Sequence, residues 1–187
     1  MKTCALYGLI IFVASAILTI VVYLAGLHSD PSKLSIANWI TGILGLAIGI
    51  TATVLGVKAR RAEIPATEDF GYGRALWAGI QISIVASILI SLFNAVYAAF
   101  INTGYSEVLV QAQADKMQAK GMSADQIEGV EKFTRFMVSP AMLAITGVIF
   151  GLIFGVILAL IIAAFLKRPA AAVPPLAPPP VQPPAQA

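Results

Sequence analysis

The chain has 187 residues, 59% hydrophobic and 11% charged, with mean hydropathy +0.89 and a formal net charge of +3. A soluble domain carries about 25% charged residues, so the composition excludes an ordinary water-soluble fold and makes the bilayer the solvent. The single cysteine, Cys4, excludes an internal disulfide and reads as a reduced thiol.

Four uncharged apolar runs follow in chain order: 5–27, 36–57, 75–101 and 141–166. Each exceeds the roughly 20 residues that cross about 30 Å of hydrocarbon as helix, and runs this long without polar alternation are helices rather than barrel strands. The fold class is therefore an all-α integral membrane protein with four transmembrane helices. The first run follows Lys2 and outlasts the apolar stretch of about 7–15 residues typical of a signal peptide, so it reads as a span, with Cys4 misplaced for a lipoprotein. The segment from His28 to Ser35 is a turn in which Asp30-Pro31 is the turn signal and Ser35 the expected N-cap of the second helix. His28, the only histidine, reads as an exposed turn residue. It has no second histidine or cysteine nearby to build a metal site, and no nucleophile elbow accompanies it.

The second span carries Gly42, Gly45, Gly49 and Gly56 on one face, with Thr51 and Thr53 among its polar residues. The connection from Lys58 to Arg74 contains Pro65, Gly71 and Gly73 and reads as a basic loop. Its Gly71-Tyr72-Gly73 lacks the pore helix and threonine-valine pair of a potassium filter. The third span repeats small residues at every fourth position: Ala75, Gly79, Ser83, Ser87, Ser91, Ala95 and Ala99. The fourth does the same with Gly147, Gly151, Gly155, Ala159 and Ala163. In lipid, helices associate by close van der Waals approach, which small residues permit; steps of four drift by about 40° each and suit right-handed crossings. Three helices thus carry a packing groove of the glycine-zipper type.

Between the third and fourth spans, residues 102–139 are polar. Tyr105, Val108, Leu109 and Ala112 recur at helical spacing, Gly121 can stop that helix, and Ser123 with Gln126 forms a capping-box pattern for a second one with Ile127, Val130, Phe133 and Met137 toward one side. Two short amphipathic helices are expected in this loop, which falls on the extracytoplasmic side by charge placement. Lys2, Lys58, Arg60, Arg61, Arg74, Lys167 and Arg168 lie on the flanks that share one side, seven of the twelve positive charges. Both termini are therefore expected in the cytoplasm. The same basic collar favours anionic lipid, and nothing in it resembles a nucleic-acid-binding surface. Ser139-Pro140 opens the fourth span. The stretch 169–187, with eight prolines in 19 residues and no charge, reads as a disordered Pro-rich cytoplasmic tail; its PxxP spacing, Pro175 to Pro178, lacks an arginine at the usual flanking offset.

No Asp, Glu, Lys, Arg or His lies inside any span, although intramembrane ionisable groups of this kind usually mark proton relays and ion-coupled transport. Gln81 and Asn94 in the third span are the polar candidates for a solute path, with Ser15, Thr19, Thr51 and Thr53 beside them. Hydrogen bonding between helices is the plainer role for all six. No catalytic constellation, cofactor site or metal cluster is expected.

The stretches "ALYGLII", "FGYGRALWAGIQISIVASILISLFNAVYAAFI" and "GVIFGLIFGVILALIIAAFLKR", with the polar amphipathic segment between the last two, are similar to the bacterial membrane proteins grouped as the domain of unknown function 4199 family; the resemblance covers about residues 4–168. It implies a four-span protein of the bacterial inner membrane with no assigned activity, and so no site residues to carry over. Taken together, a transmembrane domain over 1–168 is expected to act as a non-enzymatic interaction protein, self-associating or serving as an accessory subunit of a larger membrane complex through its small-residue faces. The alternative is a small oligomeric transporter or channel with a polar path along the third helix, and an intramembrane enzyme ranks last.

Overall fold

The first apolar run forms α1, Lys2–Leu24, and stops because Gly26 adopts φ 73°, a left-handed conformation costly for any residue with a Cβ. Gly26 N–H then donates to Tyr23 C=O and Leu27 N–H to Val22 C=O, the Schellman closure of a helix end. In the computed structural model, which describes residues 1–171, the chain continues through a 3₁₀ turn, Pro31–Lys33, into α2, Leu34–Ala62. The cap here is Asp30 rather than Ser35: its carboxylate accepts from Ser32 N–H at 2.9 Å, and Pro31 supplies the first helical φ, so the helix is already turning when Ser35 is reached. α2 also outruns its apolar segment, carrying Lys58, Arg60 and Arg61 on its last turns, where cations suit the negative end of the helix dipole.

α3 spans Tyr72–Val96 and widens into a π turn at Tyr97–Ile101, closed by Asn102 N–H donating to Tyr97 C=O at 2.7 Å. Two loop helices follow, α4 (Tyr105–Ala119) and α5 (Ala124–Met137), the second begun by a reciprocal Ser123–Gln126 capping box. Arg135 on α5 donates to Glu107 on α4 at 2.8 Å. α6, Pro140–Leu166, opens on proline at its first position. Among the described residues four helices, Lys2–Leu24, Pro31–Ala62, Tyr72–Ile101 and Pro140–Leu166, are long and apolar enough to cross a membrane.

α3 is the centre of the bundle, meeting α1, α2 and α6, while α2 and α6 barely touch each other. The buried side chains are mostly small: Ala75, Ala78, Gly79, Ser83, Ala86, Ser87 and Ser91 on α3, and Gly155, Ala159 and Ala163 on α6. The large apolar ones, such as Ile149, Phe150, Ile153 and Phe154, point outward. That inversion of the water-soluble pattern is what a lipid surround allows.

The end bearing Lys2, the 63–71 loop and Lys167, called here the basic end, is closed by backbone pairing. Phe70 N–H donates to Arg168 C=O at 2.9 Å, Arg168 N–H to Phe70 C=O at 2.8 Å, and Ala171 N–H to Ala66 C=O at 2.9 Å. The Arg168 guanidinium adds bonds to the carbonyls of Ile64 and Pro65. The stretch expected to be a free tail from 169 therefore starts, over 169–171, bonded to this loop; its remainder lies outside the described residues.

Candidate functional site

The small-residue seams of α3 and α6 face each other in antiparallel register. A methyl group in place of the Gly147 hydrogen would stand 2.6 Å from Ser91 Oγ, one on Gly151 2.8 Å from Ser87 Cβ, one on Gly155 2.5 Å from Ser83 Oγ, and one on Gly79 2.7 Å from Ala159 Cβ. Each contact steps four residues up one helix and four down the other. Ser83 and Ser87 turn their hydroxyls back onto their own helix, to the carbonyls of Gly79 and Ile84, so the seam is held by contact area rather than by hydrogen bonds between helices.

α2 behaves differently. Among the described residues nothing lies within 4 Å of a methyl group placed on Gly42, Gly45 or Gly49, so within the described bundle these three do not pack on another helix. Only Gly56 is met, by Ile82 and Tyr7. The reason is the arrangement of helices: α6 is drawn onto α3, which leaves the upper face of α2 looking across a gap. That gap is a cavity of about 310 Å³ between α2 and α6, floored by Ser15 of α1 and by Ser83 and Ser87 of α3, with Gly42, Gly45 and Gly49 along one wall.

Toward the end away from the basic loop, the gap adjoins, through Thr41, a second cavity of about 260 Å³ with a polar lining that includes Thr19, His28, Asn38, Asn94, Tyr97 and Tyr105. Here the reading of His28 as an exposed turn residue is corrected: it is 4% exposed, because the turn after α1 tucks beneath α4. Its Nδ1 lies 2.8 Å from the Tyr97 hydroxyl, which also accepts from the Asn102 carboxamide at 2.9 Å. Since the carboxamide nitrogen only donates, the phenol proton is free for His28 Nδ1, and the imidazole then keeps its own proton on Nε2. The neutral form fits the burial, which pushes the His28 pKa below its ordinary value. The π turn makes the arrangement possible by bringing Tyr97 and Asn102 onto one side of the chain. Tyr23 and Tyr105 pack against Tyr97 edge to face, with centroids 5.8 and 5.4 Å away, and burial raises the Tyr105 phenol pKa.

Gln81 and Asn94, the two candidates for a shared polar path, are not brought together. Asn94 opens into the His28 cavity, whereas Gln81 opens at the basic end beside Trp77 and Arg74. Thirteen residues of helix put them about 20 Å apart and on nearly opposite faces. The His28–Tyr97–Asn102 cluster was missed by sequence reasoning; its one signal was that Tyr23, His28, Tyr97, Asn102 and Tyr105 all fall at span ends on the same side of the bundle. Among the described residues no group of three His, Cys, Asp or Glu is placed to hold a metal ion.

The family described as "Protein of unknown function (DUF4199)" matches residues 6–168. No curated protein and no solved structure matches the chain.

Proposed function

We propose, for a chain that belongs to the DUF4199 family and therefore inherits no assigned activity, that it is a non-enzymatic multi-pass protein that works by seating a transmembrane helix against α2. The occupant is a helix of a second copy or of a larger membrane complex. The observation that supports this reading is the unmet face of Gly42, Gly45 and Gly49, where a methyl group on any of these mid-helix glycines would meet nothing within 4 Å among the described residues. Gly in a helix interior costs about 0.5–1 kcal/mol relative to Ala, and on α3 and α6 that cost is offset by close contact; on α2 the contact is missing from the isolated chain. The seven cations gathered at the basic end support an orientation with both termini in the cytoplasm of a bacterial inner membrane, the loop helices lying outside.

The test is association in a mild detergent, read by native mass spectrometry and cross-linking. A dimer or a co-purifying membrane partner is expected, and Gly45→Leu should abolish it while leaving the monomer folded, because the side chain enters open space. Monomer alone, with no partner recovered from native membranes, overturns the proposal.

A transporter or channel is the second reading. It is favoured by the adjoining of the polar His28 cavity and the α2–α6 gap at Thr41. On that reading Asn94→Leu abolishes flux in liposomes and Gln81→Leu leaves it intact, since only Asn94 reaches this space.

A further inference from the structure

At the basic end two further cavities share the walls Met1, Trp77 and Gln81. The one nearer the loop, about 510 Å³, holds Arg60, Glu68 and Arg74; the other, about 420 Å³, runs between α1 and α3 over Ala5, Ile84 and Val85. Arg74, Trp77, Gln81 and Val85, at spacings of three and four, line one face of α3, so a single groove passes from guanidinium groups through an indole and a carboxamide to bare hydrocarbon.

We propose that this groove is a built site for one anionic glycerophospholipid, its phosphate between Arg60 and Arg74, its glycerol backbone at Gln81, and an acyl chain along Ala5, Ile84 and Val85. The two arginines are only partly engaged. Arg60 pairs with Glu63 and Arg74 with Glu68, each through Nη1, and among the described residues Nη2 and Nε of both have no hydrogen-bond partner. Glu63 is also held by the Thr3 hydroxyl, which keeps it beside Arg60 and out of the cavity. The Gln81 carboxamide likewise has no partner among the described residues, and Trp77, 57% exposed, stands where an indole favours the boundary between headgroups and hydrocarbon.

The charge selects the lipid. Seven cations at this end face three acids, Glu63, Glu68 and Asp69, an excess of four, so a headgroup of net negative charge is favoured over a zwitterionic one that carries its own cation. The apolar lower chamber selects a lipid over a free phosphate, which would leave that chamber to water. A guanidinium also presents several donors to phosphate oxygens, more than the point charge of a lysine ammonium offers.

The experiment uses the full chain in detergent and in nanodiscs, with phosphatidylglycerol, phosphatidylcholine and inorganic phosphate as separate probes, read by lipid retention in native mass spectrometry and by thermal stabilisation. Phosphatidylglycerol should bind about tenfold or more tightly than phosphatidylcholine, and R60Q/R74Q should remove that preference. Ala5→Phe, which fills the lower chamber without altering charge, should weaken phosphatidylglycerol about as much. K116Q/K120Q, with the same loss of charge at the C-terminal end of α4, should change nothing. Equal binding of the two lipids, equal stabilisation by inorganic phosphate, or an equal effect of K116Q/K120Q overturns the proposal. If R60Q/R74Q does not fold, Ala5→Phe decides alone: undiminished phosphatidylglycerol binding in that variant is fatal to it.

Discussion

A glycine-to-alanine exchange at two places in the bundle should change stability in opposite directions. At Gly155 on α6 the added methyl group would stand 2.5 Å from Ser83 Oγ, about 1 Å inside ordinary contact, and the helices must part to admit it. The seam has further contacts at Gly147, Gly151 and Gly79, so parting at one layer loosens its neighbours. Overpacking of this kind costs about 1–3 kcal/mol, set against roughly 0.5–1 kcal/mol gained by replacing a mid-helix glycine. At Gly45 on α2 the same methyl group meets nothing within 4 Å, so only the gain applies. Because the intrinsic preference cancels between the two variants, their difference measures the cost of the contact directly. Equilibrium unfolding in mixed micelles, in a detergent that keeps the chain monomeric, should place Gly155→Ala below the wild type and Gly45→Ala slightly above it. Adding Ser83→Gly to Gly155→Ala removes both of the nearest atoms and should recover much of the loss, a favourable coupling of about 0.5–2 kcal/mol. Shifts of equal sign and size at the two glycines, or no recovery in the double variant, would refute the antiparallel seam.

The buried cluster around Tyr97 sets a pH dependence. The His28 pKa is lowered in the fold, so the unfolded chain binds the proton more readily; stability is fully present above about pH 6.5 and declines as pH falls toward the lowered folded value, by at most about 1.4 kcal/mol per pH unit. Thermal unfolding between pH 5 and 7 (roughly the range in which an ordinary histidine titrates) should show this slope in the wild type and lose it in His28→Gln. The carboxylates of Asp30, Glu63 and Glu107, held low by hydrogen bonds from Ser32, Thr3 and Arg135 respectively, would contribute only at more acid pH. Tyr97→Phe leaves His28 Nδ1 and the Asn102 carboxamide without their common partner and should cost about 1–3 kcal/mol in the same assay. Arg168→Ala removes the bonds to Ile64 and Pro65, so limited proteolysis within 63–71 should accelerate while the unfolding midpoint moves little. Glu107→Ala should leave stability unchanged within error, because water screens that exposed pair.

Which parts of this architecture were legible in the sequence follows from where the controlling forces act. The four spanning helices could be read because hydrocarbon imposes a length and an apolar composition on each segment separately. Their ends could not, since local chemistry decides them: Asp30 captures the start of α2 ahead of Ser35, and the helix runs on through Arg61 because charged side chains can reach water from a helix as well as from a loop. The spacing of four announced a seam on α3 and another on α6, yet spacing is a property of one helix, and pairing is a property of two. Gly42, Gly45 and Gly49 step by three and four where Gly147, Gly151 and Gly155 step by four throughout, but either spacing lays a small-residue face along a helix; what separates the two sets is that α6 takes the place against the α3 seam. The burial of His28 depends on a π turn 69 residues further along the chain and on α4 folding over it, contacts that no local pattern encodes. α3 and α6 satisfy each other and α1 packs on α3, so a bundle that has used its seams internally still holds one glycine face on α2 with no counterpart among the described residues. A helix interior tolerates three glycines without contact only at a cost to its own stability, and the proposed partner helix against α2 is the arrangement that would offset it.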